Sequence, residues 1–194
     1  ILQAVKKECE GLRQSGKYRG CGGNMEEQEE RRNKMEKRQE KQAVLVSACL
    51  LGMECRYDGG NNAVSGMEQL KESAVLIPFC PELYGGLSTP REPSEIRGGK
   101  VWSKSGKDVT AQFEKGAKEA AKAAKLSGCV AAVLKQRSPS CGSSQIYDGT
   151  FQGRRIEGQG ITAAVLEREG LKLFDEKQLE ACIAWLQKVY GTAE

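Results

Sequence analysis

"VSACLLGMECRYDGG", residues 46–60, starts as the end of a buried strand and then changes character. Together with Ala43, Val44 and Leu45 it opens on a short apolar run. Cys49 and Cys55 follow, and then Arg56, Tyr57, Asp58 and paired glycines. An apolar run without alternation, cut off by turn residues, is the pattern of a strand buried on both faces of a parallel sheet. "AVLIPF" (74–79) and "CVAAVLK" (129–135) repeat that pattern, and "LKLF" (171–174) reads as a fourth strand.

Helices fill the intervals. One begins near "DVT" (108–110), places Val109, Phe113, Ala117, Ala120, Ala121 and Ala124 on one face, and stops at Gly128. "ITAAVLEREG" (161–170) is a second, capped by Gly170. "KQLEACIAWLQKVY" (177–190) is the last, with Cys182 on its apolar side. "QIYDGTFQ" (145–152) reads as a hairpin turning at Asp148-Gly149. Strands that alternate with helices imply an α/β, Rossmann-like domain, a mainly parallel sheet flanked by helices, over residues 43–194. Residues 1–42 form a charged N-terminal extension, expected as a helical or disordered arm. Its stretch "MEEQEERRNKMEKRQEKQ" (25–42) carries 12 charges and almost nothing apolar.

Composition narrows the chemistry. The 194 residues include 8 cysteines and no histidine, which removes every histidine-based nucleophile pair, general base or zinc ligand. No apolar run approaches a membrane span, and Ile1–Val5 followed by Lys6 and Lys7 lacks the apolar core of a secretion signal. The expectation is a cytoplasmic protein, in which cysteines serve as metal ligands, nucleophiles or core residues rather than disulfides. The net charge is +4, with 11 basic and 8 acidic side chains in residues 1–42. The remainder is therefore close to neutral, and strong nucleic-acid binding is not expected.

Three cysteines stand at three strand ends. Cys49 follows the first strand, Cys80 the second ("IPFCPELYGG", 77–86), and Cys141 lies shortly past the third ("LKQRSPSCG", 134–142). In an open parallel sheet the carboxyl ends of the strands share one edge, where ligands bind. A single cysteine there would read as a packed thiol. Three of them, each flanked by proline or glycine, point to a shared site. Three thiolates suit zinc completed by a fourth ligand or water, or an iron-sulfur cubane with one iron left open. Cys55 reads as a loop residue.

With these loops in view, the sequence resembles the domain of unknown function 523 family, which includes the TudS-type thiouracil desulfidases. The resemblance is carried by "VSACLLGMECRYDGG", "CPELYGGLSTPREPSEI" (80–96), "GKDVTAQFEKGA" (106–117), "VLKQRSPSCGSSQIYDGTF" (133–151) and "GQGITAAVL" (158–166). It implies a 4Fe-4S cluster on Cys49, Cys80 and Cys141, and non-redox removal of sulfur from thiouracil or a thiolated pyrimidine nucleoside or nucleotide. The substrate sulfur would bind the open iron. Without histidine, a carboxylate must handle the proton. Glu82 is the candidate, on the expectation that an apolar loop surrounds it, with Ser138 or Ser140 holding water or the ring oxygen. Arg56, Arg91 and Lys135 are candidates for a substrate phosphate, with Asp58 orienting Arg56. The turn Gly158-Gln159-Gly160 offers backbone N–H groups to an anion. The alternatives are a non-catalytic zinc- or nucleotide-binding module, or sulfur transfer on another substrate. A tRNA thiolase is disfavoured by the lack of an SGGxDS-type ATP loop.

Overall fold

Strand β1 (Ala43–Ser47) is buried along almost its whole length, because it lies inside a sheet with helices on both faces. The sheet has four strands in the order β2 (Val75–Phe79), β1, β5 (Cys129–Leu134), β8 (Lys172–Asp175), and every neighbouring pair is parallel. These are the four strands expected from the apolar runs. Pro78 is tolerated because β2 is an edge strand, where a missing ladder donor faces no partner. The computed structural model describes residues 41–190, so the expected arm lies, but for its last two residues, outside the described residues, as do Cys9 and Cys21.

Side-chain alternation sorts the core into two layers. Val44, Val46, Ala131 and Val133 face helix α1 (Met67–Ser73) and helix α5 (Leu179–Tyr190), meeting Leu70, Cys182 and Leu186. Leu45, Ala132 and Leu134 face helix α3 (Thr110–Leu126) and helix α4 (Ile161–Arg168), meeting Ala120, Ala124 and Leu166. Each fully buried aliphatic side chain contributes roughly 1.5–3 kcal/mol, so the two layers supply most of the driving force. Gly116 of α3 lets that helix close on the Pro81 carbonyl, which a Cβ at this position would overlap. That contact seats the one-turn helix α2 (Pro81–Tyr84) directly after Cys80.

Two small antiparallel hairpins complete the chain: β3 (Ser94–Arg97) with β4 (Lys100–Ser103), and β6 (Gln145–Tyr147) with β7 (Arg155–Glu157). The second corrects the expected 145–152 hairpin. Asp148-Gly149 does leave the first strand, but residues up to Arg154 form the connection, and the returning strand starts at Arg155. Gly149 (φ 84°) is needed there, since a Cβ would sit 2.7 Å from the Ile96 carbonyl and 2.6 Å from Arg97 Cβ. The two hairpins are thereby braced against each other beside the carboxyl edge of the main sheet.

Candidate active site

The cysteine loops leave three neighbouring strands. Cys80 follows β2, Cys49 follows β1 in the middle, and Cys141 lies past β5 on the other side. The crossover leaving β1 runs to β2 on one side and the one leaving β5 runs to β8 on the other, so this edge holds the switch point where an α/β sheet opens a crevice. The crevice is a cavity of about 500 Å³. Cys49, Cys55, Cys80 and Cys141 line it together with Glu82, Ser138 and Lys135, and the two hairpins supply its other wall.

Each thiol is fixed by its backbone. Cys49 sits in a 3-10 turn, Ala48–Leu51, that Gly52 closes in a left-handed conformation, and the Cys49 carbonyl accepts N–H bonds from Gly52 (3.2 Å) and Asn62 (2.9 Å). The Cys141 loop is tied by Ser138, whose Oγ accepts the N–H groups of Ser140 (3.0 Å) and Cys141 (3.1 Å). Gln136, mostly buried, organises the rest. Its Oε1 accepts N–H bonds from Ser143, Ser144 and Gln145, and its Nε2 donates to Ser144 Oγ (2.7 Å) and Asp175 Oδ2 (2.9 Å). Burial pushes the thiols up: Cys55 to about 12, helped by Cys80 and Cys49, and Cys141 strongly, opposed by the Ser47 hydroxyl. Cys49 is also raised by burial, against a side-chain bond from Asn62. Without a metal these thiols hold their protons, and metal binding must displace them.

The polar candidates fall into two groups. Glu82 and Ser138 converge in the cavity, where Ser138 Oγ donates to Glu82 Oε1 over 3.4 Å. The apolar setting expected for Glu82 is replaced by an ion pair. Arg91 Nε donates to Glu82 Oε2 (2.8 Å), and the guanidinium also bonds the carbonyls of Ser88 and Cys55 and Thr89 Oγ1. Ser140 turns away from the cavity. It is fully buried, and its hydroxyl pairs with Thr162 Oγ1 at 2.9 Å.

The three expected phosphate cations each face a carboxylate. Arg56 is paired with Asp58 through Nε at 2.6 Å, a contact that holds the Asp58 carboxyl well below the usual range. Arg91 is engaged by Glu82, and Lys135 reaches Glu176 at 2.5 Å. The N–H groups of Gly158 and Gly160 bond the carbonyls of Ser144 (3.0 Å) and Gly142 (2.8 Å), so they brace the Cys141 loop instead of meeting an anion. Sequence reading passed over Gln136, Glu176 and Glu95. A polar residue beside a strand end carries no pattern, and its bonds run to residues up to 56 positions away.

The model of the 2-thiouracil desulfurase family matches residues 44–178. Protein YbbK of Bacillus subtilis (strain 168), itself uncharacterized, is 44% identical over 146 residues, covering 70% of this chain and 97% of its own. A solved structure of the 4Fe-4S-dependent thiouracil desulfidase TudS is 44% identical, with a TM-score of 0.73, and the match covers 77% of this chain and all of that one. The residues present here fit such a cluster. Among the described residues no three cysteine or carboxylate groups close tightly enough on one metal ion, yet Cys49, Cys80 and Cys141 ring one cavity. Three thiols on one cavity suit a cubane, whose thiolates each bind a different iron. The match of sequence, sheet and cavity carries one conclusion: the chain belongs to the 2-thiouracil desulfurase family.

Proposed function

We propose that the protein is a 4Fe-4S-dependent desulfidase that hydrolyses the C–S bond of thiouracil or a thiolated pyrimidine nucleoside or nucleotide. The observation that carries this reading is the cavity at the carboxyl edge of β2, β1 and β5, where three cysteine loops meet the Glu82 carboxylate and the Ser138 hydroxyl. Cys49, Cys80 and Cys141 would hold the cluster, with Cys55 a wall residue. When bound, a cluster held by three thiolates supplies an open iron, a Lewis acid with affinity for thiocarbonyl sulfur.

The chain's own groups handle the water. Arg91 fixes Glu82 by Oε2 and leaves Oε1 facing Ser138. Ser138 Oγ, anchored by the Ser140 and Cys141 N–H groups, stands beside Glu82 Oε1, so that a water held by Glu82 Oε1 would lie against both. Glu82 Oε1 takes a proton as the water oxygen bonds to the ring carbon, and returns it as the C–S bond breaks. Water supplies the new carbonyl oxygen and sulfur leaves as sulfide, so no external electrons are needed. General acid-base help of this kind is worth roughly 10² to 10⁴ in rate.

Protein purified or reconstituted without oxygen should contain about four iron and four acid-labile sulfide per chain and release sulfide from 2-thiouracil. One zinc per chain, or metal-free protein with full activity, would replace this reading with another.

A further inference from the structure

Glu95 is a carboxylate that neither the core nor the cysteine chemistry explains. It lies on β3, whose alternation sends Ile96 into the small apolar cluster of Val101, Val109 and Phe113, and so turns Glu95 the other way, onto the cavity wall. Only 8% of the residue is exposed. Its Oε2 accepts the Phe151 N–H at 3.0 Å, and among the described residues nothing pairs with Oε1. No fully buried side-chain oxygen in the described residues lacks a partner, so Oε1 must touch open space, and the cavity supplies it. Glu95 thus has one neutral hydrogen bond and no ion pair among the described residues, with an acceptor oxygen left for a ligand's N–H.

The segment that bonds it is strained as well. Phe151 (φ 58°) and Arg137 (φ 65°) are the two non-glycine residues in left-handed backbone among the described residues, and both line this cavity. Strain of this kind collects where a ligand is gripped. Phe151 and Tyr147 add aromatic surface beside the carboxylate, suited to a flat ring.

We propose, resting on the desulfidase reading above, that Glu95 Oε1 accepts the N3–H of a uracil-type ring and is a specificity-determining residue. An ionised carboxylate only accepts. It therefore favours a thiolated uracil, which donates at N3, and repels a thiolated cytosine, whose N3 is a lone pair. Sites built around a substrate N–H reject analogues lacking it far more strongly than apolar pockets reject a missing methylene.

The test compares 1-methyl-2-thiouracil with 1-methyl-2-thiocytosine on the cluster-loaded full chain. Both carry the same thiocarbonyl and N1 substituent, but N3 is a donor in the first and an acceptor in the second. Wild-type protein should prefer the uracil by about 100-fold or more in kcat/KM. Glu95→Gln has a single acceptor, so it can serve Phe151 or the ring but not both. It should raise KM for the uracil on the order of 10- to 100-fold and narrow the preference at least tenfold, with iron and sulfide content unchanged. A variant with wild-type KM and preference would overturn the assignment. If Glu95→Gln does not fold, the wild-type ratio still decides, because equal use of both bases is incompatible with an acceptor at N3. Cluster-loaded wild type that releases no sulfide even from 2-thiouracil would instead remove the desulfidase reading, and this assignment with it.

Discussion

Cys49, Cys55, Cys80 and Cys141 line one cavity while Cys182 lies in the core, and substitution separates the three proposed ligands from Cys55 and Cys182. Serine at any of the three should abolish the broad visible absorbance of the cluster and the release of sulfide. Cys55→Ala should keep both; bleaching as complete as that of Cys49→Ser would make Cys55 a ligand. Cys182 is fully buried against Val44 and Leu186 and its thiol is pushed up to about 11 by burial alone, so it acts as a small apolar residue. Cys182→Ala should leave the cluster intact and cost about 1 kcal/mol in unfolding free energy, from lost packing. Glu82→Gln keeps the shape and the Arg91 contact but cannot shuttle a proton. Turnover should fall by about 10²-fold or more with iron and sulfide content unchanged, and a fully active variant would assign the proton to another group.

At the scale of elements, the strand ends are clamped together by side chains. Glu176, just past β8, accepts the Gln136 N–H (2.7 Å) and the Lys135 ammonium, which joins the β8 end to the loop that carries Cys141. Burial by itself would raise the Glu176 carboxyl, but the Gln136 N–H and Lys135 outweigh it and the group is lowered. A carboxyl lowered in the folded state adds stability above its ordinary value and loses that contribution as pH falls through the lowered one. The melting temperature should therefore decline on acidification below about pH 5, and Glu176→Gln should flatten that decline while lowering stability at neutral pH. An acid limb unchanged by the substitution would place the lability elsewhere. These clamps also mark where the sequence ceased to be readable. The parallel strands were legible because burial on both faces leaves an unbroken apolar run, and α3 because Phe113, Ala117, Ala120 and Ala124 recur at helical spacing. The 94–103 hairpin was not, since "SEIR" and "KVWS" alternate too briefly and Glu95 hides inside a pattern that looks solvent-facing.

Across the whole molecule, the convergence of the cysteines was legible because it follows from topology: parallel strands put their carboxyl ends on one edge whatever the loops contain. The pairing of Arg91 and Lys135 with Glu82 and Glu176 was not, since Lys135 and Glu176 are 41 residues apart and nothing in either segment names the other. That pairing bears on substrate size. With the three expected phosphate cations engaged, Lys104 and Arg137 are the cavity-lining cations without an ion pair among the described residues, enough for one phosphate, and residues 43–194 are close to neutral. Neutralising several phosphates would require a basic face and would give an affinity that falls steeply with salt. A cavity of about 500 Å³ instead suits one base or a mononucleotide. Sulfide release measured side by side should therefore be fast from thiouracil or its mononucleotide, slow from thiolated tRNA, and nearly unchanged between 50 and 200 mM salt for the small substrates, where affinity carried by 6–10 phosphate contacts would drop about 10³- to 10⁵-fold. Faster turnover of the tRNA, lost as salt is raised, would show that a surface beyond this cavity does the binding. A shortened chain that begins at Lys41 separates the two cases further. It removes half of the excess positive charge, so a tRNA activity that depends on the arm would vanish with it, whereas turnover of thiouracil should persist.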